Sequence, residues 1–385
     1  MDFAWSAEQR DLHAAARALA ERLPRGAARP GDPGADEAPG FSRAAWDAAA
    51  EFGLAGLSVP SADGGLGLDL LTTAYVLEGF GEGCRELGLL FSAGAHLFAC
   101  CGPIARAASR PLKTRLLPRL AAGQWIGANA ITESEAGSDL LAINSRAVRD
   151  GAGYRISGEK AFVTNGPVAD VVVVYASTNP KGGYLSLSAF ALARDTPGLL
   201  AGRPLVKCGL GGSPMSSVYL DECPVPQEHM IGAEGQGAVI FQGSMQAERA
   251  CLVAGYLGAM TRRLEQVVEF ARERRQFGRP IGKNQAVAHR IAKMKLRLEA
   301  ARMLVYRACW LLDRGRDAAL ASSLAKLAVS DAAIRLGLDA IHISGGLGVM
   351  SETGIDQLLH DSLPSTIFSG TSEMQLDIVA GRLGL

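Results

Sequence analysis

Residues 130–139 hold side chains that could bind a small-molecule ligand. Within ten positions they supply hydroxyls, two glutamates, a Gly-Ser pair and a final Asp139, directly after an apolar lead-in. Gly137 permits backbone angles closed to other residues, so we expect this turn to bring its N–H groups against a ligand. Thr132 and Ser138 add hydroxyls that donate or accept hydrogen bonds. The milder interpretation is a polar surface turn in which Asp139 caps the next element.

A second candidate is Glu248, which is followed by Arg249 in a predicted helix. Its helical neighbours are small or apolar; they are Ser244, Met245, Cys251, Leu252 and Gly255. A carboxylate on such a face either points into a cavity or is held by an ion pair. Burial would raise its pKa, which suits a general base. The alternative is that Glu248 pairs with Arg249 or with a neighbouring helix.

Composition limits the classes of protein that this chain can belong to. It has 385 residues, which predicts two or three subdomains, and 48% of them are hydrophobic. Its 39 basic residues balance its 39 acidic ones. No excess of charge therefore indicates nucleic acid or an anionic membrane as a partner.

Cysteine usage predicts a reducing compartment and no metal site. The seven cysteines lack zinc-ligand spacing, and Cys100 and Cys101 are adjacent. The first ten residues contain an early Asp2 and no apolar run, so no signal peptide is expected. No stretch reaches the roughly 18 uninterrupted apolar residues of a membrane helix. We expect a cytoplasmic protein.

The pattern of elements that must position these residues is helical, then β, then helical. Ser6 precedes a predicted helix over about residues 7–23, and residues 24–40 are predicted to form a loop. Further helices are predicted near residues 42–52, 70–80, 87–99 and 111–120. β-type alternation dominates from about Trp125 to Gly235. Apolar residues between Val287 and Leu312 then recur every three or four positions, which indicates a helical bundle.

Four more segments join residues 130–139 in a recognisable order. They are residues 158–166 (GEKAFVTNG), 274–281 (RRQFGRPI, leading to Gln285), 341–348 (IHISGGLG) and 367–373 (IFSGTSE). In that order and at those separations, the chain resembles the acyl-CoA dehydrogenase family over essentially its whole length. The resemblance implies an α+β fold with an N-terminal helical domain (1–123), a middle β-domain (124–235) and a C-terminal four-helix bundle (236–385).

The resemblance also implies FAD, bound between the β-domain and the bundle with its adenine end reaching a neighbouring subunit. Ile131, Thr132, Gly137 and Ser138 would line the flavin ring and pyrophosphate, and Phe162 and Thr164 would flank the isoalloxazine. The remaining implied FAD residues fall into two sets: Arg274, Phe277, Gln285, His342, Gly345 and Gly346 for the partner subunit's cofactor, and Thr371 and Glu373 for the chain's own. The milder interpretations are strand packing for Phe162 and a helix C-cap for the two glycines.

In the family, a carboxylate removes the α-proton of an acyl thioester while a β-hydride passes to flavin N5. Most members hold that carboxylate immediately before the Gly-Thr of the C-terminal motif, where this chain has Ser369. A minority hold it on the first long helix of the bundle, just before an arginine, and there the chain has Glu248. Glu248 is therefore the expected base, and Ser138, Arg249, Ser369 and Gly370 are expected at the substrate. His360-Asp361 replaces the usual Arg-Asp, which puts an ion pair at that helix end in doubt.

The C-terminal third looks closest to a branch acting on groups tethered to carrier proteins, such as prolyl-carrier-protein dehydrogenases. Residues 282–290, 306–310 and 365–371 carry that likeness. The expected substrate is an acyl or aminoacyl thioester on a carrier protein, with a short or branched acyl-CoA as the alternative. An electron-transfer flavoprotein or oxygen would accept the electrons. A homo-oligomer, either a dimer or a dimer of dimers, is expected.

Two functions of other classes stay open at the level of sequence. One is a flavin monooxygenase or oxidase, because one fold can host several chemistries. The other is a non-catalytic thioester-binding protein that has lost its base at Ser369. The role of Glu248 distinguishes them from a dehydrogenase.

Overall fold

A computed structural model of the chain describes residues 4–23, 40–181 and 183–385. The loop predicted for residues 24–40 lies outside these ranges except for Gly40. In the described ranges, helices come first, an eight-stranded sheet follows, and a second group of helices ends the chain. The expected boundaries at residues 123/124 and 235/236 fall in short connections before the first strand and before the seventh helix. They remain a prediction.

Six α-helices form the N-terminal part: α1 Ala7–Arg22, α2 Arg43–Glu51, α3 Leu70–Gly83, α4 Gly88–Gly94, α5 Gly102–Ala107 and α6 Arg110–Ala121. Side chains cap several of them. The Ser6 hydroxyl accepts from the Gln9 N–H at 3.1 Å, and the Gln9 amide oxygen accepts from the Ser6 N–H at 3.0 Å. This reciprocal pair satisfies two N–H groups that the helix leaves free, which explains why α1 begins where predicted.

The helix predicted over residues 87–99 is longer in the structure. Between α4 and α5 the chain continues as a π-helical segment, Ala95–Cys101. Pro103 has no N–H to donate to the carbonyl of Ala99. The side-chain amide of Asn129 donates to that carbonyl instead, at 2.8 Å. The proline is therefore accommodated without ending the helix, and the hydrogen bond from Asn129 of β1 links this helix to the sheet.

By length and composition, residues Gly88–Ala107 form one helical stretch apolar enough to cross a membrane. However, 89% of that window is buried inside the protein. Such burial is typical of a core helix, and this helix packs between the sheet and α7 (Gly237–Cys251).

The middle part contains the strands β1 Gly127–Ala130, β2 Arg146–Asp150, β3 Gly153–Thr164, β4 Val171–Ser177, β5 Leu187–Ala193, β6 Leu199–Ala201, β7 Met215–Pro226 and β8 Met230–Ile231. Their order is β6-β7-β3-β2-β4-β5-β8, and β1 pairs with β4 in parallel. In β4, Val171, Val173 and Tyr175 join the core shared with the helices, and the alternate residues join a second core within the sheet. Burial on both faces explains the uninterrupted apolar run of β4.

The C-terminal part is helical: α7 is followed by α8 Ala254–Glu273, α9 Gln285–Asp313, α10 Ala319–Ser344, α11 Gln357–Ser362 and α12 Ser372–Arg382. A short hairpin of β9 (Arg275–Gln276) and β10 (Arg279–Pro280) lies between α8 and α9. The apolar stripe predicted on α9 is buried at its centre, from Met294 to Ala308.

The carboxylate of Asp361 connects all three parts of the chain. It accepts from the backbone N–H groups of Leu87 at 2.9 Å and Leu210 at 2.7 Å, and from the Gln357 amide at 2.9 Å. Only 1% of Asp361 is exposed. The neighbouring His360 instead lies 3.5 Å from Asp356. The aspartate therefore does not depend on an arginine at position 360, because backbone donors hold it.

Replacing Asp361 by alanine should lower the melting temperature by several degrees. The substitution leaves two buried N–H groups without an acceptor, and each unmade bond costs about 1–3 kcal/mol. Asp331→Ala is the matched control, because Asp331 is exposed and forms its ion pair with Arg335 on its own helix. Thermal unfolding followed by circular dichroism measures both. Equal shifts in the two variants would contradict the role of Asp361.

Candidate active site

The loop after β1 is anchored by the buried carboxylate of Glu133. Its oxygens accept from the Asn144 N–H at 2.7 Å, the Ser145 N–H at 2.9 Å and the Ser145 hydroxyl at 2.5 Å. Lys160 of β3 adds an ion pair at 2.7 Å, and its ammonium also donates to the Ile131 carbonyl at 3.2 Å. The first residues of the loop are therefore held by a charged pair inside the protein.

The environment shifts the pKa values of both residues of this pair. Burial alone would raise the pKa of Glu133, but hydrogen bonds from Lys160 and Ser145 outweigh it, and the net shift is downward. Burial lowers the pKa of Lys160 to about 8, although Glu133 opposes that shift. The pair is ionised at neutral pH and keeps the loop attached to β3.

The prediction that Gly137 is needed for its backbone angles is wrong. Its φ is not in the left-handed region, so the turn does not need a glycine for its backbone angles. A Cβ placed there would meet no atom within 4 Å. Gly137 and Ser138 are exposed, and Asp139 accepts from the Leu141 N–H at 3.1 Å, as the milder interpretation expects. What Gly137 provides is open space beside the backbone.

Phe162 lies on a bulge in β3 and not on a regular strand. The pairing with β7 shifts between Lys160 and Val163, and Phe162 has a φ of 54°. Positive φ is strained for a bulky residue. The ring is 63% exposed, so it is not packed into the core as the milder interpretation supposes. Bulges re-aim side chains next to active sites.

The same bulge brings the loop and the strand together. The Ala161 N–H donates to the Thr132 carbonyl at 2.8 Å. Thr132 is therefore adjacent in space to Phe162, and Thr164 follows at the half-buried end of β3. The structure assembles these three predicted residues at the C-terminal end of β3.

Glu248 lies on the buried face of α7 and is 7% exposed. Its predicted neighbours Ser244, Met245, Cys251 and Leu252 are buried with it. The Ser369 hydroxyl donates to its Oε1 atom. Its Oε2 atom is buried and has no hydrogen-bond partner among the described residues.

An ion pair with Arg249 is absent from the described residues. The Arg249 guanidinium instead donates from Nε to the Ser369 carbonyl at 2.8 Å. Burial raises the pKa of Glu248 to about 7, although the Ser369 hydroxyl and the charge of Arg249 oppose the shift. Near neutral pH this carboxylate exchanges a proton readily, which is the property of a general base.

Donors from three helices hold the backbone of Ser369 and Gly370. Arg249 of α7 and Gln375 of α12 both donate to the Ser369 carbonyl, and Gln375 also donates to the Gly370 carbonyl at 3.1 Å. Lys326 of α10 donates to the Gly370 carbonyl at 2.9 Å. Burial lowers the pKa of Lys326 to about 8.

The helix that carries Glu248 packs against the sheet through Tyr175 of β4. The Tyr175 and Phe241 rings meet edge to face, with centroids 5.6 Å apart. Burial is the main cause of the raised pKa of the Tyr175 phenol, and the charge of Glu248 adds to it. β4 pairs with β1, which leads directly into Ile131. Glu248 therefore lies near the end of β1, where the residues predicted to line the flavin begin.

The residues expected to serve a partner subunit's FAD lie at one end of the helical bundle. Asp339 of α10 pairs with Arg290 at 3.6 Å and Arg297 at 2.9 Å on α9, which puts the end of α10 beside the start of α9. All six predicted residues are exposed there: Arg274, Phe277, Gln285, His342, Gly345 and Gly346. Phe277 is 97% exposed with a φ of 50°.

Thr371 and Glu373 have local roles in the structure. The Thr371 hydroxyl caps α12 by accepting from the Met374 N–H at 3.3 Å. Glu373 is exposed in the first turn of that helix. A backbone N–H and the Thr371 hydroxyl lower the pKa of Glu373. Their predicted contacts with FAD remain a prediction.

Sequence reasoning missed Lys160, Lys326 and Gln375. Two of them leave a signal in the sequence. Lys160 occupies an inward position of the alternating strand that includes Tyr154 and Ile156, and Lys326 is the only basic residue between Ala319 and Ile334. A lone cation at an apolar position needs a buried partner. Gln375 gives no such signal.

Comparison with known proteins identifies the family. The acyl-CoA dehydrogenase N-terminal, middle and C-terminal domains match residues 6–124, 128–223 and 235–384. An L-prolyl-[peptidyl-carrier protein] dehydrogenase from Pseudomonas fluorescens is 50% identical over 90% of this chain and 91% of its own length.

Two solved structures are similar throughout. The FAD complex of PigA has 40% identity and a TM-score of 0.93, with all of both chains covered. The prolyl acyl carrier protein oxidase AnaB has 37% identity and a TM-score of 0.93, covering 99% of this chain and 100% of its own. The expected fold class and resemblance are confirmed: this chain belongs to the acyl-CoA dehydrogenase family.

Proposed function

We propose that this protein is an FAD-dependent dehydrogenase that introduces a double bond between the α and β carbons of an acyl or aminoacyl thioester. One observation carries the proposal. Among the described residues, the buried carboxylate of Glu248 has no counter-ion and one of its oxygens has no hydrogen-bond partner, and its pKa is raised to about 7. A carboxylate kept in this state is suited to accept a proton from carbon.

The residues predicted to bind FAD have properties that suit this cofactor. Phe162 presents an exposed ring, which suits an isoalloxazine wall. Gly137, Gly345 and Gly346 leave open space where a Cβ would stand, so a cofactor can approach the backbone closely. Ile131, Thr132, Ser138 and Thr164 would complete the site around the ring and pyrophosphate. When bound, FAD accepts the hydride that leaves the β carbon.

The remaining chemistry belongs to side chains of this chain. Oε2 of Glu248 removes the α-proton, and the electron pair of that C–H bond forms the double bond as the β-hydride leaves. The apolar surroundings on α7 keep water from this oxygen. Arg249, Ser369 and Gly370 would contact the thioester: the Ser369 hydroxyl donates to Glu248, and the Arg249 guanidinium donates to the Ser369 carbonyl.

A carrier-tethered aminoacyl group is the substrate that we propose, because the P. fluorescens relative is named for it and is 50% identical. A carrier protein and coenzyme A present the same phosphopantetheine arm, so acyl-CoA stays the alternative. Turnover also needs an electron acceptor, an electron-transfer flavoprotein or oxygen; AnaB is named an oxidase.

We further propose a homo-oligomer. The six exposed residues at the end of the bundle would contact the partner subunit's FAD there. Phe277 supports this, because its backbone has a positive φ and its ring is almost fully exposed. Backbone strain of this kind is concentrated at functional sites.

Glu248→Gln should slow flavin reduction by about a hundredfold or more, the usual scale for a lost general base. FAD content and thioester binding should be retained, because the amide preserves the shape of the side chain. In the unsubstituted protein, the reduction rate should rise with pH through a midpoint near 7, since only the ionised carboxylate accepts a proton. Anaerobic stopped-flow mixing with carrier-loaded prolyl and acyl thioesters measures these rates.

Glu269→Gln is the matched control, because Glu269 is an exposed glutamate on α8. It should reduce at the normal rate. Near-normal reduction by Glu248→Gln would refute the assignment of the base. If no acyl-CoA or carrier-bound thioester bleaches the flavin, the protein is not a dehydrogenase.

Lys160→Met should weaken FAD binding, because it frees the loop that Glu133 anchors and leaves a buried carboxylate unpaired. The double variant Glu133→Gln/Lys160→Met removes both charges and should recover part of the loss. Lys295→Met, which breaks an exposed pair with Glu299, is the control. Flavin absorbance per protein after gel filtration measures retention. Full retention in Lys160→Met would contradict the anchoring role.

A further inference from the structure

Ser369 has a backbone conformation that serine rarely adopts. Its φ is 56°, and Gly370 follows with a φ of 92°. A non-glycine residue in the left-handed region is disfavoured. The conformation persists because Arg249, Gln375 and Lys326 hold the carbonyls of Ser369 and Gly370 from three different helices.

This arrangement aims the serine hydroxyl at the carboxylate of Glu248. The hydroxyl donates to Oε1, and Oε2 keeps no partner among the described residues. Rotation about the last bond of a glutamate side chain is otherwise broad. A single hydrogen bond to Oε1 therefore fixes the orientation of the carboxylate and leaves Oε2 as the oxygen without a partner among the described residues.

We propose that Ser369 is a positioning residue for the reaction: its hydroxyl holds Oε1 of Glu248 and leaves Oε2 as the atom that accepts the substrate proton. The inference rests on the proposed function, since it assigns a role within the same site. It also gives the serine a task other than contact with the thioester.

The hydrogen bond also adjusts the acidity of the base. Burial raises the pKa of Glu248, and the hydrogen bond from the Ser369 hydroxyl lowers it again in part, because that bond stabilises the ionised carboxylate. The titratable groups that act on the carboxylate are Arg249 on α7 and Tyr175 on β4. Lys326 on α10 acts on Arg249 and is itself influenced by Glu373 on α12. None of these groups forms a salt bridge with Glu248 in the described residues, so Ser369 is its direct partner.

Two substitutions separate the hydroxyl from the backbone. Ser369→Ala removes the hydroxyl and keeps the strained φ. Ser369→Gly removes the hydroxyl and relieves the strain, because glycine adopts positive φ freely. Ser372→Ala is the control, because Ser372 lies nearby and its hydroxyl donates to the Thr366 carbonyl, at 3.5 Å, and not to Glu248.

The first measurement needs no substrate. Infrared titration of the oxidised holoenzyme follows the protonated carboxyl band that disappears in Glu248→Gln. Both Ser369 variants should raise its midpoint by roughly one pH unit, because a hydrogen bond to a charged group has been lost. Ser372→Ala should titrate as the unsubstituted protein does. An unchanged midpoint in both Ser369 variants would overturn the inference.

The second measurement is the pH profile of anaerobic flavin reduction. At pH 7 both variants should be more than fivefold slower, because a one-unit shift alone lowers the ionised fraction about fivefold. At high pH the limiting rate should stay below normal, with KM unchanged, because the base is ionised but no longer oriented. A raised KM with a normal limiting rate would instead make Ser369 a substrate contact and refute the positioning role. Failure of the unsubstituted protein to react with any thioester would refute the proposed function alone.

Discussion

The burial of one carboxylate that has no counter-ion among the described residues is the constraint on which this site depends. Glu248 is surrounded by small and apolar residues on α7, and its hydrogen-bond partner is a neutral hydroxyl. An arginine is next in sequence, yet its guanidinium binds a backbone carbonyl and leaves the carboxylate unpaired. Pairing the two would have lowered the pKa of Glu248 and removed its basicity near neutral pH.

Other buried polar groups position elements whose surfaces meet at the site. Asp361 joins the three parts of the chain through backbone N–H groups, and Glu133 with Lys160 holds the loop after β1 against β3. His96 works in the same way: its Nδ1 accepts from the Gly127 N–H at 2.8 Å, and burial lowers its pKa to about 4, so the ring is neutral. Burying such groups adds little net stability, but their directional bonds restrict how helices and strands can meet.

Much of the fold could be predicted because local patterns determine it. The cap at Ser6, the apolar run of β4 and the periodicity of α9 each correspond to an observed element. Glu248 could be singled out because the family resemblance places a base just before an arginine on that helix, and because its helical neighbours are small and apolar. Its contact with Ser369 could not, since 121 residues separate the two and only tertiary packing brings them together. The bulge at Phe162 was missed for a similar reason: it depends on pairing with β7 and on Thr132, which no local pattern encodes.

The burial of Glu248 also makes the free energy of unfolding depend on pH. Its pKa is about 7 in the folded protein, against 4.5 for an ordinary glutamate. Below pH 4.5 the side chain is protonated in both states, and its contribution to the stability of the folded protein is fully present. This contribution is lost as the pH rises through 7, because the folded protein must then bury a charge. Above that pH the loss is on the order of 3 kcal/mol. A neutral residue of similar shape at this position would therefore give a more stable protein above pH 7, at the expense of the base.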